Sequence, residues 1–293
     1  MSLTALDHVT VRVEDLALCV DWYIRALGLT EIDRSVDRVY LGCGGDDYAD
    51  LVLIPGGKGI ESFAVSVGDT GILDEVTRSL AHANVSVSEV SAKAPGIEQG
   101  IEFRLPTGHT AQLVSRKERR GYIHATEWKH DAVHAPVDLD HVTLTTGRVE
   151  EAADFVCKHL GFKISDIVHA GEEWKFAFCR VGEWHHDVAF TAISPDTSLH
   201  HVGFLVGGVA DLAKHADRFA RLGYEIEYGI GRHAAGGNLF LYALDPSGNR
   251  VELTTEMPRV PDAGAPPRRW SDETWHLNLW GKILPPESFR RGS

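Results

Sequence analysis

The sequence predicts an α+β protein of two similar halves, each assembled from two β-α-β-rich modules. Three observations carry this. Leu6-Asp7-His8-Val9-Thr10 recurs as Leu139-Asp140-His141-Val142-Thr143. Each copy is followed by a helix-spaced stretch ending in Leu-Gly, at Leu27-Gly28 and Leu160-Gly161. Each half closes on a Pro-Gly turn and a short strand. Leu105-Pro106-Thr107-Gly108 precedes Ala111-Gln112-Leu113-Val114, and Leu244-Asp245-Pro246-Ser247-Gly248 precedes Val251-Glu252-Leu253-Thr254. The copies keep their order at an offset that drifts only from 133 to 140 residues (8 to 141; 108 to 248), as a duplicated unit would.

Between these landmarks lies a further matched pair. Phe63 to Val67 is a short apolar stretch, and Ile72 to His82 has helical spacing; their counterparts are His201 to Val206 and Leu212 to Leu222. The strands alternate with period two. Val142 and Leu144 oppose His141, Thr143 and Thr145. Val202, Phe204 and Val206 oppose His201 and Gly203. Val251 and Leu253 oppose Glu252 and Thr254. A curved antiparallel sheet would gather these polar faces around a cavity. The polar, His-rich segment from Arg116 to Val137 reads as a linker, so residues 1–133 form an N-terminal domain and 134–293 a C-terminal one. The tail from Arg259 to Ser293, rich in Pro, Arg and Trp, wraps the C-terminal domain, covers a pocket mouth or mediates subunit contacts. Glu118 to Arg120 is a solvated charge run. Gly42, Gly44 and Gly45 form no phosphate loop, since no Lys-Ser/Thr follows.

Composition narrows the function. The chain has 293 residues, 43% apolar and 24% charged, enough for a sizeable core without staples. No apolar run approaches the roughly 20 residues of a membrane span. The formal net charge of −13 argues against a nucleic-acid partner, whose nonspecific binding needs phosphate neutralisation. The N-terminus shows no signal peptide, and Cys19, Cys43, Cys157 and Cys179 form no Cys-x-x-Cys pair. A reduced, cytoplasmic protein is expected. The 16 histidines are the unusual feature, because His is the commonest metal ligand and the acid–base group of neutral pH.

His141, His201 and Glu252 fall on the polar faces of three separate strands. Two His and one carboxylate with open positions suit non-haem Fe(II); the same set can hold catalytic Zn. The N-terminal half is an internal control: it keeps His8, but has Gln112 in place of Glu252 and Ser62 or a neighbour in place of His201. One half could hold a metal and the other could not.

These motifs resemble the type I extradiol catechol dioxygenases of the vicinal oxygen chelate superfamily, over nearly the whole chain. The segments that carry the resemblance are Leu139-Asp140-His141-Val142, His186-Asp187-Val188-Ala189-Phe190, Leu199-His200-His201-Val202, Gly231-Arg232-His233, Tyr242, and Asp245-Pro246-Ser247-Gly248-Asn249-Arg250-Val251-Glu252. The resemblance implies two domains of paired βαβββ modules. It also implies Fe(II), less often Mn(II), held by His141, His201 and Glu252, with His200 an inert neighbour on the opposite strand face. It assigns proton exchange with a catechol to His186 rather than to His185, because Asp187-Val188-Ala189-Phe190 sets the frame. It further places His233 and Tyr242 beside the substrate oxygens. Pro246 and Gly248 fit the second and fourth positions of a type I turn, and pairing across that turn sets Tyr242 opposite Glu252 to within a residue.

The implied reaction is extradiol opening of a catechol by O₂, in an enzyme whose relatives are commonly homo-oligomers. Family members acting on homoprotocatechuate carry two Arg anchors. Here those positions are Tyr228 and, in His276-Leu277-Asn278-Leu279-Trp280-Gly281, Leu277. A buried carboxylate without a cationic partner is costly, so a neutral catechol is expected, with Arg180 or Arg232 as alternative anchors. Two rivals remain: a glyoxalase-like metal-dependent lyase or isomerase on the same scaffold, which would typically lack His186 and Tyr242, and a protein that sequesters an aromatic without turnover.

Overall fold

The computed structural model describes residues 3–44, 46–117, 135–272, 277–281 and 284–293. Most of the linker, the charge run Glu118 to Arg120, Gly45 and His276 lie outside the described residues.

Among the described residues the strands form two sheets. The first holds β1 (Leu3–Val13), β2 (Thr30–Arg34), β3 (Val39–Gly42), β4 (Leu51–Pro55), β5 (Gly59–Val67), β6 (Val87–Glu89), β7 (Ile97–Arg104) and β8 (Thr110–Arg116), in the order β2-β3-β4-β1-β5-β8-β7-β6. The second holds β9 (Asp138–Thr145), β10 (Lys163–Ala170), β11 (Glu173–Arg180), β12 (Val188–Thr191), β13 (Ser198–Leu205), β14 (Ile226–Arg232), β15 (Leu239–Leu244), β16 (Arg250–Thr255) and β17 (Arg268–Ser271). Its order, β14-β15-β16-β13-β9-β12-β11-β10-β17, repeats that of the first sheet with one strand added. Helices α1 (Leu16–Trp22), α2 (Gly71–His82), α3 (Val149–Phe155) and α4 (Val209–Leu222) each follow the first strand of a module. Four βαβββ modules result.

The sheets are mixed rather than antiparallel. The central pairs β1–β5 and β9–β13 are antiparallel, but β1–β4, β5–β8, β9–β12 and β13–β16 are parallel. The module dictates this. Its helix carries the chain across the sheet, and the three-strand meander that follows ends beside the first strand, pointing the same way. The tail strand β17 runs parallel to β10 and was not anticipated from the sequence.

The repeated Leu-Gly has a backbone cause. α1 and α3 each continue into a wider π turn, Tyr23–Leu27 and Val156–Leu160, closed by Gly28 at φ 82° and Gly161 at φ 81°. That left-handed cap costs glycine little and other residues more. α2 buries Ile72, Leu73, Val76 and Leu80 on one face, and α4 buries Leu212, His215 and Phe219.

One apolar core runs through both halves. Trp22 packs against Phe219 and Tyr224 across the boundary, with ring centroids 6.3 and 5.9 Å apart. Two turns lock the halves reciprocally. The Asp245–Asn249 turn reaches the first half: Tyr23 donates to Asp245, and the Gly59 N–H donates to Asn249 at 2.7 Å. The Pro106–His109 turn reaches the second half, where Arg148 donates to the Pro106 carbonyl and Thr197 to that of Thr107. No described helix is long and apolar enough to cross a membrane.

Candidate metal centre

His141 stands on β9, His201 on β13 and Glu252 on β16, three neighbouring strands. Gly203 on β13 lies opposite His141 on one side and opposite Glu252 on the other. This register brings the side chains to one level. A Cβ at position 203 would stand 2.4 Å from His141 Cε1, so glycine there gives the imidazole its room. The Nε2 atoms of His141 and His201 are 2.9 Å apart, and each is 3.0 Å from Glu252 Oε2. All three side chains are buried.

The donor set fits a divalent cation. Three donors about 2.1 Å from one ion and at right angles to one another stand about 3.0 Å apart, whereas tetrahedral angles spread them to about 3.4 Å. The spacing seen is the facial one, which leaves positions open. The electrostatics agree. Burial alone would lower His141, but the Glu252 and Asp140 carboxylates outweigh it and raise it to about 10. Burial would raise Glu252, yet the imidazoles, His141 first, hold it well below the usual carboxylate range. Burial pushes His201 down to about 4 against the pull of Glu252. The buried carboxylates call for positive charge, and a metal ion supplies it. Asp140 Oδ2 accepts from His141 Nδ1 at 2.7 Å, leaving Nε2 to face inward.

The three other expected residues surround this cluster. The His186 ring centroid lies 4.4 Å from that of His141. Burial first, then the His141 and His185 charges, holds His186 well below its ordinary range, so it is neutral. Tyr242 pairs directly with Glu252 across β15–β16, as the turn requires. Burial, then the Glu252 charge, keeps its phenol protonated, and the hydroxyl donates to His233 Nε2 at 2.9 Å. His233 in turn donates from Nδ1 to the Leu277 carbonyl at 2.8 Å.

The structure corrects one expectation. His200 does not point to the opposite strand face: its Nδ1 lies 2.6 Å from His201 Nδ1. A register shift between Leu199 and His201 breaks the alternation and puts successive side chains on one side. Other neighbours, Leu277 apart, carried no isolated sequence signal. Asn238 donates to Glu252 Oε1 at 3.2 Å and to Thr254 at 2.8 Å. Phe176, Phe178, Leu277 and Phe289 wall the cavity, the last two supplied by the tail.

In the first sheet Ala64 lies opposite both His8 and Gln112, the register that Gly203 has in the second, and Ser62 lies where His201 would. That face is filled by Tyr40, Val52, Ala64, Ile97 and Val114. His8 binds Asp7 at 2.7 Å, and Gln112 donates to Glu102 at 2.8 Å.

Paired βαβββ modules with a buried His-His-Glu metal site define the class. The chain belongs to the Glyoxalase/Bleomycin resistance protein/Dioxygenase superfamily, whose family model matches residues 5–113 and 138–253. It is similar to Metapyrocatechase 2 of Cupriavidus necator, 32% identical over 96% of this chain and 90% of that one. It is 26% identical to the manganese-dependent 2,3-dihydroxybiphenyl 1,2-dioxygenase of Geobacillus genomosp. 3 (97% and 96% covered) and to the iron-dependent extradiol dioxygenase of Rhodococcus jostii (96% and 97%). The chain is thus a homologue of the extradiol dioxygenases. Among solved structures, homoprotocatechuate 2,3-dioxygenase from Arthrobacter globiformis shares the fold at TM-score 0.89 and 22% identity, covering 100% of this chain and 92% of that one. A Mn(II)-bound glyoxalase from Novosphingobium aromaticivorans shares it at TM-score 0.85 and 23% identity, covering 98% and 94%. The fold alone therefore does not separate the two chemistries.

Proposed function

We propose that the protein opens the ring of a neutral catechol with O₂, using Fe(II) or Mn(II) held by His141, His201 and Glu252 in the C-terminal domain, residues 134–293. The observation that carries this reading is the facial His-His-Glu cluster with His186 on one flank and the Tyr242–His233 pair on the other. A bound metal ion would supply the point where both catechol oxygens and O₂ meet. The protein's own groups do the rest. His186, neutral and facing the cavity, takes a hydroxyl proton from the catechol and returns it as the ring opens. Tyr242, kept protonated, presents its phenol toward the substrate oxygens, its direction fixed through His233 by the Leu277 carbonyl. Phe176, Phe178 and Leu277 hold the aromatic ring and exclude water.

The neutral substrate rests on charge. Among the described residues lining the cavity there is no Lys or Arg. Arg180 donates to the carbonyls of Gly182 and Asp262, and Arg232 is engaged by Gly237 and Glu256. Tyr228 packs on Phe240 and Phe289. The apolar filling of the first sheet supports assigning no metal to residues 1–133. Four free thiols support a reducing, cytoplasmic setting, and a homo-oligomer belongs to the same reading.

Oxygen uptake by Fe(II)- and Mn(II)-reconstituted protein with a panel of catechols tests the proposal. Uptake matched by ring-opened product is expected, with kcat/KM higher for 4-methylcatechol than for homoprotocatechuate. Isomerisation of a hemithioacetal without oxygen uptake would establish the glyoxalase reading instead. A preference for the acid would overturn only the neutral substrate.

A further inference from the structure

The two ring ligands are held from behind by different partners. His141 has the Asp140 carboxylate. His201 has another imidazole, His200, at 2.6 Å between Nδ1 atoms, and His200 Nε2 in turn lies 3.0 Å from the Phe289 carbonyl. A carbonyl oxygen can only accept, so the His200 proton is on Nε2 and its Nδ1 is the acceptor. The proton between the two rings then belongs to His201 Nδ1. That leaves the His201 Nε2 lone pair aimed at the point shared with His141 and Glu252.

The carbonyl at the end of this chain is itself fixed. Phe289 belongs to the 3-10 turn Glu287–Arg290. The buried Arg250 guanidinium donates to the carbonyls of Ser288 at 2.9 Å, Arg291 at 3.0 Å and His200 at 3.1 Å, while Glu227 holds its other edge. The Phe289 ring stands edge-on to His200 at 4.8 Å. The register shift beside His201 lets both imidazoles reach the same side of β13.

We propose that His200 is a positioning residue through which the C-terminal turn Glu287–Arg290 sets the tautomer and ring orientation of His201, and with them the metal affinity of the centre. The inference rests on His201 being a metal ligand, and is independent of the ring-opening chemistry.

Two measurements test it: Mn(II) affinity by chelator competition, and ¹⁵N-histidine resonances of the metal-free protein. Wild type should show His201 as the Nδ1–H tautomer. His200→Phe, which removes both hydrogen bonds, should lose about 10–100-fold in affinity and mix the His201 tautomers. His200→Asn places an acceptor near the Nδ1 position and should recover most of the affinity. His200→Gln, whose amide reaches toward Phe289 but not His201, should not. Removing residues 287–293 should weaken Mn(II) binding in wild type and add nothing further in His200→Phe. Unchanged affinity and tautomer in His200→Phe, equal losses for Asn and Phe, or additive losses with the truncation would each overturn the proposal. Retention of tight Mn(II) binding by His201→Ala would instead show that His201 is no ligand, which removes the reading beneath it.

Discussion

Gly203 does not line the cavity, yet it gives the His141 ring the room that sets the spacing of the centre. A methyl at 203 falls 2.4 to 2.8 Å from three atoms of the His141 ring and cannot coexist with its present rotamer. Gly203→Ala should therefore lose metal affinity by at least tenfold while keeping its far-ultraviolet circular dichroism; full metal binding would show that the ring has room to spare. Glu252→Gln should abolish tight binding, and His8→Ala should leave metal and turnover intact. Metal analysis of the pair separates the two sheets, and loss of metal in His8→Ala would refute the assignment to the second. His186→Phe should bind metal and catechol but turn over about 10²–10⁴-fold more slowly, as loss of a proton-transfer group does. Unchanged turnover would move that role to His185. The His141-His201-Glu252 cluster was legible in the sequence because each of its residues sits at a matched repeat position on a polar strand face. His200 was misread because one irregular residue inverts the facing of its neighbours, and periodicity does not reveal irregularity.

At the scale of elements, the same Asp-His pair sits inside β1 and inside β9, but its surroundings differ. In β1, Arg116 of β8 clamps Asp7 with two hydrogen bonds of 2.7 Å. Burial would raise Asp7, but His8 and Arg116 outweigh it and bring it from 3.8 to about 2. A carboxyl depressed on folding stabilises the protein above its unfolded value and loses that contribution as acid protonates it. Here that is about 2 kcal/mol, present above roughly pH 4 and lost toward pH 2. Urea unfolding across that range should show the loss in wild type and not in Asp7→Asn. Arg116→Met should cost about 3–5 kcal/mol at neutral pH, because it strands a buried charge. A cost under 1 kcal/mol would show the clamp to be incidental. The helices, the turns and the duplication were legible from local spacing and from Gly and Pro placement. The parallel neighbours and the tail strand β17 were not, since both depend on pairings between segments far apart in the chain.

At the scale of the molecule, the reciprocal turns and the shared core leave neither half with a closed surface of its own. Calorimetry should show one unfolding transition; two separated transitions would contradict the locking of each half by the other. The spread of the ligands has a further consequence, in time rather than in space. His201 and Glu252 lie 60 and 111 residues along the chain from His141. Bringing such distant segments together is slow, because the entropy of closing the loops comes before any contact rewards it. An ion would therefore find no cradle until the second sheet is assembled, and it is expected to bind last. Refolding should proceed at the same rate with or without a chelator, and a metal added afterwards should load at once. Equal refolding rates would mean that whichever divalent ion the site takes is selected after folding is over, without the chain's own assembly taking part in the choice.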